Sequence, residues 1–276
     1  MKIRYAVAPL FLIFICACEP KVTFDYTERT HYIPIGRKCK YAWAFNAYNE
    51  KLVDRWGDNY TLMQPYKKDT AIRVNDYILG FSTCNVDIKD LKGISYLKSL
   101  ERLGDELLMH EPPFYFLSYE KDNMADPPDP VIEARLKQQL ENPRTRVAHG
   151  MPAADLVKVD YRLTWLKDIK ITCSEEIAGR APSQSLSDLF VVDSYHQDHY
   201  FIVTSNKNVI TDHQKIAGIS LSQYLSYKPM APAEIFLRFK EGVNVSAPVT
   251  AQFTVELITG EDKSIKTTAA AVKFVP

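Results

Sequence analysis

Apolar residues fall at alternate positions in many short stretches of the chain, the spacing of strands that bury one face. Cys39, Tyr41, Trp43 and Phe45 form one such row. Asn59 to Met63 and Ala71 to Ser82 predict further strands, with Trp56-Gly57-Asp58-Asn59 as a turn before them. Tyr161, Leu163 and Trp165 alternate, as do Ile169, Ile171 and Cys173. Leu189 to Val192, Tyr200 to Thr204 and Ile235 to Phe239 are shorter runs of the same kind. Ala251, Phe253, Val255 and Leu257 point one way, and Gln252, Thr254 and Glu256 the other. Gly260-Glu261-Asp262 is a turn, after which Ile265 to Phe274 returns.

The period changes twice. Ile94, Leu97, Leu100, Leu103 and Leu107 recur at three and four, which predicts an amphipathic helix closed by Pro112-Pro113. Phe114 to Leu117 then reads as a buried strand. Asp129 can cap a second helix with Pro130 at its first position, Ile132, Leu136 and Leu140 on one face, and Pro143 beyond its end. The expected fold is mainly β, α+β overall. Residues 34–150 form a mixed region of N-terminal strands with a helical insertion. Residues 143–156 are the expected linker. Residues 157–276, with roughly seven short strands, fit an immunoglobulin-like β-sandwich without its Cys…Trp…Cys hallmark.

The N-terminus carries a different signal. Lys2 and Arg4 precede an apolar run from Tyr5 to Ile15. A basic start and an apolar stretch of about 7–15 residues describe a secretory leader, and the run is short of the roughly 20 residues that a membrane span needs. Ile15-Cys16-Ala17-Cys18 resembles a bacterial lipobox, with Cys16 as a mild departure at the tolerant position. That resemblance implies cleavage of residues 1–17 and lipid on Cys18, followed by an extended tether over 18–33. Each buried methylene contributes about 0.8 kcal/mol, so two or three acyl chains on one cysteine suffice for stable anchoring.

Composition narrows the functions. Lys+Arg and Asp+Glu both number 34, so the formal charge is +0 and gives no electrostatic case for nucleic acid. The 16 Tyr and 13 Phe suit half-buried strands. Of 5 cysteines, Cys39, Cys84 and Cys173 remain after the leader and the lipid site. They are candidates for one disulfide, with the pairing open, or for buried thiols.

Candidate chemistry is sparse. His196, Asp198, His199 and His213 are the metal-ligand candidates, although a strand would send His196 and His199 to opposite faces. Phe114, Tyr115, Phe116 and Tyr119 are candidates for a sugar-binding platform, or for core. Ser95-Tyr96-Leu97-Lys98 matches Ser-x-x-Lys, but its partner motifs are missing. No cofactor is expected. Asp69-Thr70-Ala71 resembles a short O-glycosylation sequon of secreted Bacteroidota proteins.

Asp168-Ile169-Lys170-Ile171-Thr172-Cys173, then Leu186-Ser187-Asp188-Leu189-Phe190 and a closing hairpin, are similar to uncharacterised Bacteroidota cell-envelope lipoproteins with domains of unknown function. That resemblance implies an envelope role and brings no catalytic residues. The neutral domain, the sandwich architecture and the Asp69 sequon lean the expected address to the outer membrane. The expectation is a non-catalytic, lipid-anchored binding or surface-assembly module whose partner is the membrane and an envelope protein or glycan. The alternatives are a glycan-binding lipoprotein of a nutrient-uptake system and a metal-dependent envelope enzyme.

Overall fold

The computed structural model describes residues 24–29, 31–53, 55, 57, 59–67, 70–87, 125–140, 143–148, 156–193, 201–211 and 216–276. Six strands come first: β1 Phe24–Arg29, β2 His31–Arg37, β3 Tyr41–Val53, β4 Asn59–Pro65, β5 Ala71–Arg73 and β6 Tyr77–Cys84. Helix α1, Pro130–Leu140, separates them from β7 Pro143–Ala148, β8 Leu156–Arg162, β9 Leu166–Cys173 and β10 Phe190–Val192. Two short strands, β11 Ile202–Val203 and β12 Val209–Ile210, precede helix α2, Leu221–Ser226. The chain ends with β13 Glu234–Phe239, β14 Val249–Ala251, β15 Phe253–Thr259, β16 Ser264–Thr268 and β17 Val272–Val275.

These strands make a mainly β protein with a sandwich core. One layer is the five-stranded sheet β10-β13-β6-β3-β4. The other is built from β16-β15-β9 and β14-β17-β5. In β15, Phe253, Val255 and Leu257 point inward opposite Cys173, Ile171 and Ile169 of β9, and all six are buried. From the facing layer come Leu79, Phe81, Ile235 and Leu237. Tyr77 stacks on Phe253 with ring centroids 5.1 Å apart and meets Phe274 edge-on at the same distance. Its hydroxyl donates to Asn46 Oδ1 (2.7 Å), and Asn46 Nδ2 donates to the Ala270 carbonyl (2.7 Å), so a satisfied polar bridge links the layers inside the core.

The sandwich extends well beyond residues 157–276. β13 lies between β10 and β6, so N-terminal strands complete the sheet that C-terminal strands begin. Two parallel pairs, β2 with β8 and β5 with β17, tie the halves again. The expected linker contains β7, which pairs antiparallel with β1 from within the expected tether. One core therefore serves both halves, and the seam expected near residue 150 does not divide it.

Strand β3 corrects the expected facing. Ala42, Ala44 and Tyr48 pack on the main core, whereas Phe45 joins a separate cluster with Ala47, Met63, Ile78 and Phe236. Tyr41 on that aromatic row is 41% exposed, and Cys39 precedes the strand. A central strand has both faces covered, so the bulkier row need not face the larger core. Gly80 of β6 lets the Phe45 ring lie across it, since a Cβ there would sit 2.0 Å from the ring.

Helix α1 matches its sequence signals. Asp129 Oδ1 accepts from the Val131 and Ile132 amides (3.0 and 3.2 Å), Pro130 takes the first position, and Ile132, Leu136 and Leu140 are buried. The segment after β9 protects that strand's free edge. The Leu186 amide donates to the Ile171 carbonyl (2.7 Å), while Ser187 Oγ accepts from the Ile171 amide (2.9 Å) and donates to the Ile169 carbonyl (3.0 Å). The predicted helix over Ile94 to Leu107 and the strand at Phe114 to Leu117 lie outside the described residues.

Candidate functional site: a buried arginine pair on β2 and β8

Most of the residues singled out in the sequence fall outside the described part of the chain. These are Cys18, His196, Asp198, His199, His213, Phe114, Tyr115, Phe116 and Tyr119, together with Ser95 and Asp69. Cys39, Cys84 and Cys173 are described, and all three are buried free thiols, with no disulfide among them. Burial pushes the Cys39 thiol up to about 11, against the opposing pull of the Arg162 guanidinium, so it stays protonated at neutral pH. Among the described residues no three His, Cys, Asp or Glu side chains converge as a metal site.

The densest polar geometry is at the β2–β8 pair. The strands run parallel with Gly36 opposite Tyr161 and Arg37 opposite Arg162. Alternation sends Tyr161 and Val159 to one face, where they pack on Ile132, Leu136 and Leu140 of α1. Gly36 allows this: a Cβ there would be 2.7 Å from Tyr161 Oη. That hydroxyl accepts from the Asp129 amide (2.9 Å) and donates to Glu133 Oε1 (3.2 Å). Lys207 Nζ lies 2.8 Å from Asp129 Oδ2 and holds that carboxyl below its usual range.

The opposite face carries Arg37, Asp160 and Arg162, which are 0%, 10% and 1% exposed. Arg162 is anchored at the end of β6. Its Nε donates to the carbonyl and the hydroxyl of Thr83 (both 3.0 Å), Nη2 also donates to that carbonyl, and Nη1 donates to the Tyr161 carbonyl (3.3 Å). The Thr83 hydroxyl itself donates to the Pro232 carbonyl (2.6 Å). Asp160 Oδ2 lies between the arginines, 3.5 Å from Arg37 Nε and 3.8 Å from Arg162 Nη1. Among the described residues Arg37 has no other partner: none of Nε, Nη1 and Nη2 makes a hydrogen bond. A guanidinium remains charged when buried, so its neighbours must supply the missing acceptors or the fold bears the cost.

A second buried ionisable group lies on the five-stranded sheet. Glu234 opens β13 opposite Ser82 of β6, which is itself opposite Trp43 of β3. Although residue 234 is partly exposed overall, its Oε1 is shielded and unpartnered, and burial pushes the carboxyl up to about 8.

Neither feature was singled out from the sequence. Asp160 and Arg162 alternate with Val159 and Tyr161, which reads as a solvated strand face. A charged residue at every second place, on a strand that also has a full apolar face, was the available signal.

No family model matches the chain, and no curated protein matches it. Two crystal structures of BcpA, the major pilin subunit of Bacillus cereus, one of them a variant, are similar at 10% identity. They cover 90% and 91% of this chain and 70% and 69% of theirs, with TM-scores of 0.13 and 0.15. Scores that low carry no argument about this chain.

Proposed function

We propose that this protein is a lipid-anchored component of a bacterial cell envelope, held by acyl chains on Cys18, whose β-sandwich serves as a non-catalytic binding or assembly module. The observation that carries the reading is the sequence Ile15-Cys16-Ala17-Cys18 at the close of an apolar run behind Lys2 and Arg4. The single sandwich core supports it, because such a core presents loops and edges on which a binding surface can be built. The outer membrane is the proposed address.

The anchor is tested by expressing the chain in a bacterium with labelled palmitate. The wild-type chain incorporates label and sediments with membranes. Cys18→Ser incorporates none and either appears in the soluble fraction or retains its leader. Equal labelling of both proteins contradicts the reading. Protease treatment of intact cells then tests the side of the membrane: complete resistance on whole cells, with digestion after lysis, removes surface assembly.

A further inference from the structure

The five-stranded sheet has two covered faces, and the described elements account for the cover of only one. The inner face is the sandwich core. The outer face carries Phe45, Ala47, Met63, Ile78 and Phe236, and all five are buried, with Phe45 and Phe236 only 8% and 3% exposed. Ser82 on the same face is buried too, and Glu234 Oε1 opposite it is shielded from solvent. An open sheet face leaves the outer surfaces of its side chains in water, so an apolar face becomes buried only against another layer. Among the described residues no element forms that layer. The members of the outer cluster all come from the sheet itself. Beyond the sheet, the described elements packed closely on β3, β6 and β13 are β16 and the turn Val74–Asp76. Thr267 of β16 meets β3 at the Ala44 amide, and Ala44 and Val74 both belong to the sandwich core.

We infer that the outer face is the docking surface for the apolar stripe Ile94, Leu97, Leu100, Leu103 and Leu107 of the same chain, a segment outside the described residues. Attachment selects this occupant. Residues 88–124 leave the described chain just past the end of β6 at Cys84 and rejoin it at Ala125. Asp126 Oδ2 accepts from Asn85 Nδ2 (3.0 Å), so departure and return lie together, at the end of the sheet that holds Ser82 and Glu234. Length selects it again. At 1.5 Å per residue a helix from Ile94 to Leu107 reaches about 20 Å, and four strands 4.8 Å apart span about 14 Å between their outer axes. Stretches 149–155, 194–200 and 212–215 are too short to cross β13, β6, β3 and β4, and residues 1–17 are the expected leader. The chemistry matches as well, because aliphatic residues recurring at three and four give one apolar stripe for an apolar face. Docked there, the stripe adds a third layer to the sandwich, and the face is not the surface that an envelope partner uses. This inference is independent of the lipid anchor.

The test is photo-cross-linking in the purified full chain in detergent, with p-benzoylphenylalanine placed at position 45 in one protein and at position 63 in another. Mass spectrometry of the digested monomer is expected to find both positions joined to peptides from residues 94–107. The paired change Leu97→Asp and Leu100→Asp should lose those cross-links, because it puts charge on the stripe. Arg102→Asp, on the opposite side of the helical repeat, should keep them. The unsubstituted stripe decides the matter even where the double variant fails to fold. Cross-links to any other segment overturn the proposal, as does a cross-linked dimer, which would make a second copy the occupant. An absence of protein cross-links from both positions overturns it too, and so does an Arg102→Asp chain that loses them.

Discussion

The β9–β15 pair and the β2–β8 pair are both two-strand units with alternating sequence, yet they use alternation differently. In β15 the apolar residues enter the sandwich, and Thr254, Glu256 and Ile258 point away from it at intermediate exposure. In β8 the apolar row packs on α1, but on the polar row Arg162 is also buried and the Asp160 side chain is only 10% exposed. Polar-out holds only where one face meets water. Where both faces are covered, the polar row must be paired, and its charges become part of the interior.

That difference predicts where the fold is most easily broken. Phe253→Ala removes the ring that contacts Tyr77, Phe190, Phe239 and Phe274, and it should cost about 3–5 kcal/mol in urea denaturation. A loss under about 1 kcal/mol would mean that the two layers do not meet there.

Glu234 occupies the same kind of position as Asp160, a polar residue on a covered strand face. Its folded pKa, about 8, lies above the ordinary value of 4.5, so the folded state holds the proton more tightly. Its contribution is fully present below about 4.5 and is lost as pH rises through about 8. Stability measured across that window should fall with pH in the wild-type chain, and Glu234→Gln should flatten the profile. Parallel profiles would show that another group controls the slope.

On the α1 side, Gly36→Ala places a methyl against Tyr161 Oη, which is fixed by the Asp129 amide and Glu133. Overpacking should cost about 1–3 kcal/mol, and Tyr161→Phe in the same chain should recover little, because the ring carbon Cζ is also close, at 2.9 Å. Full recovery would trace the clash to the hydroxyl alone. Asp129→Ala should cost about 1 kcal/mol through loss of the α1 cap. The Lys207 ammonium depresses the Asp129 pKa, so its stabilisation is present above the ordinary value of 3.8 and fades as pH falls through the lower folded value. Asp129→Asn should retain capping while removing that acid-side dependence.

Legibility followed locality. The cap, first proline and apolar stripe of α1 lie within twelve residues, and the sequence predicts all three correctly. The alternating faces of β9 and β15 were equally readable, because each needs only its own strand. Helix α2 carries a signal of the same kind: Ser220 accepts from the Gln223 amide at 3.2 Å, as a Ser-x-x-Gln start suggests. Sheet order was not readable. Nothing near Tyr77 or Glu234 in sequence says that β6 and β13 are neighbours, since the pairing spans most of the chain. The aromatic row of β3 misled for a related reason: residue size does not tell which of two covered faces meets the larger core. The buried state of Arg37 and Arg162 depends on partners far along the chain, and Thr83 is the clearest example.

The claim on which the rest depends is that one core is shared by both halves of the chain. Residues 157–276, expressed alone, would retain β9 and β15 but lose β6 and β3 from the centre of the facing sheet. Circular dichroism of that fragment through a thermal ramp is the direct test. A shared core predicts no cooperative melting in the fragment and a single cooperative transition in the full chain. A fragment that is strand-rich and melts cooperatively by itself would contradict it.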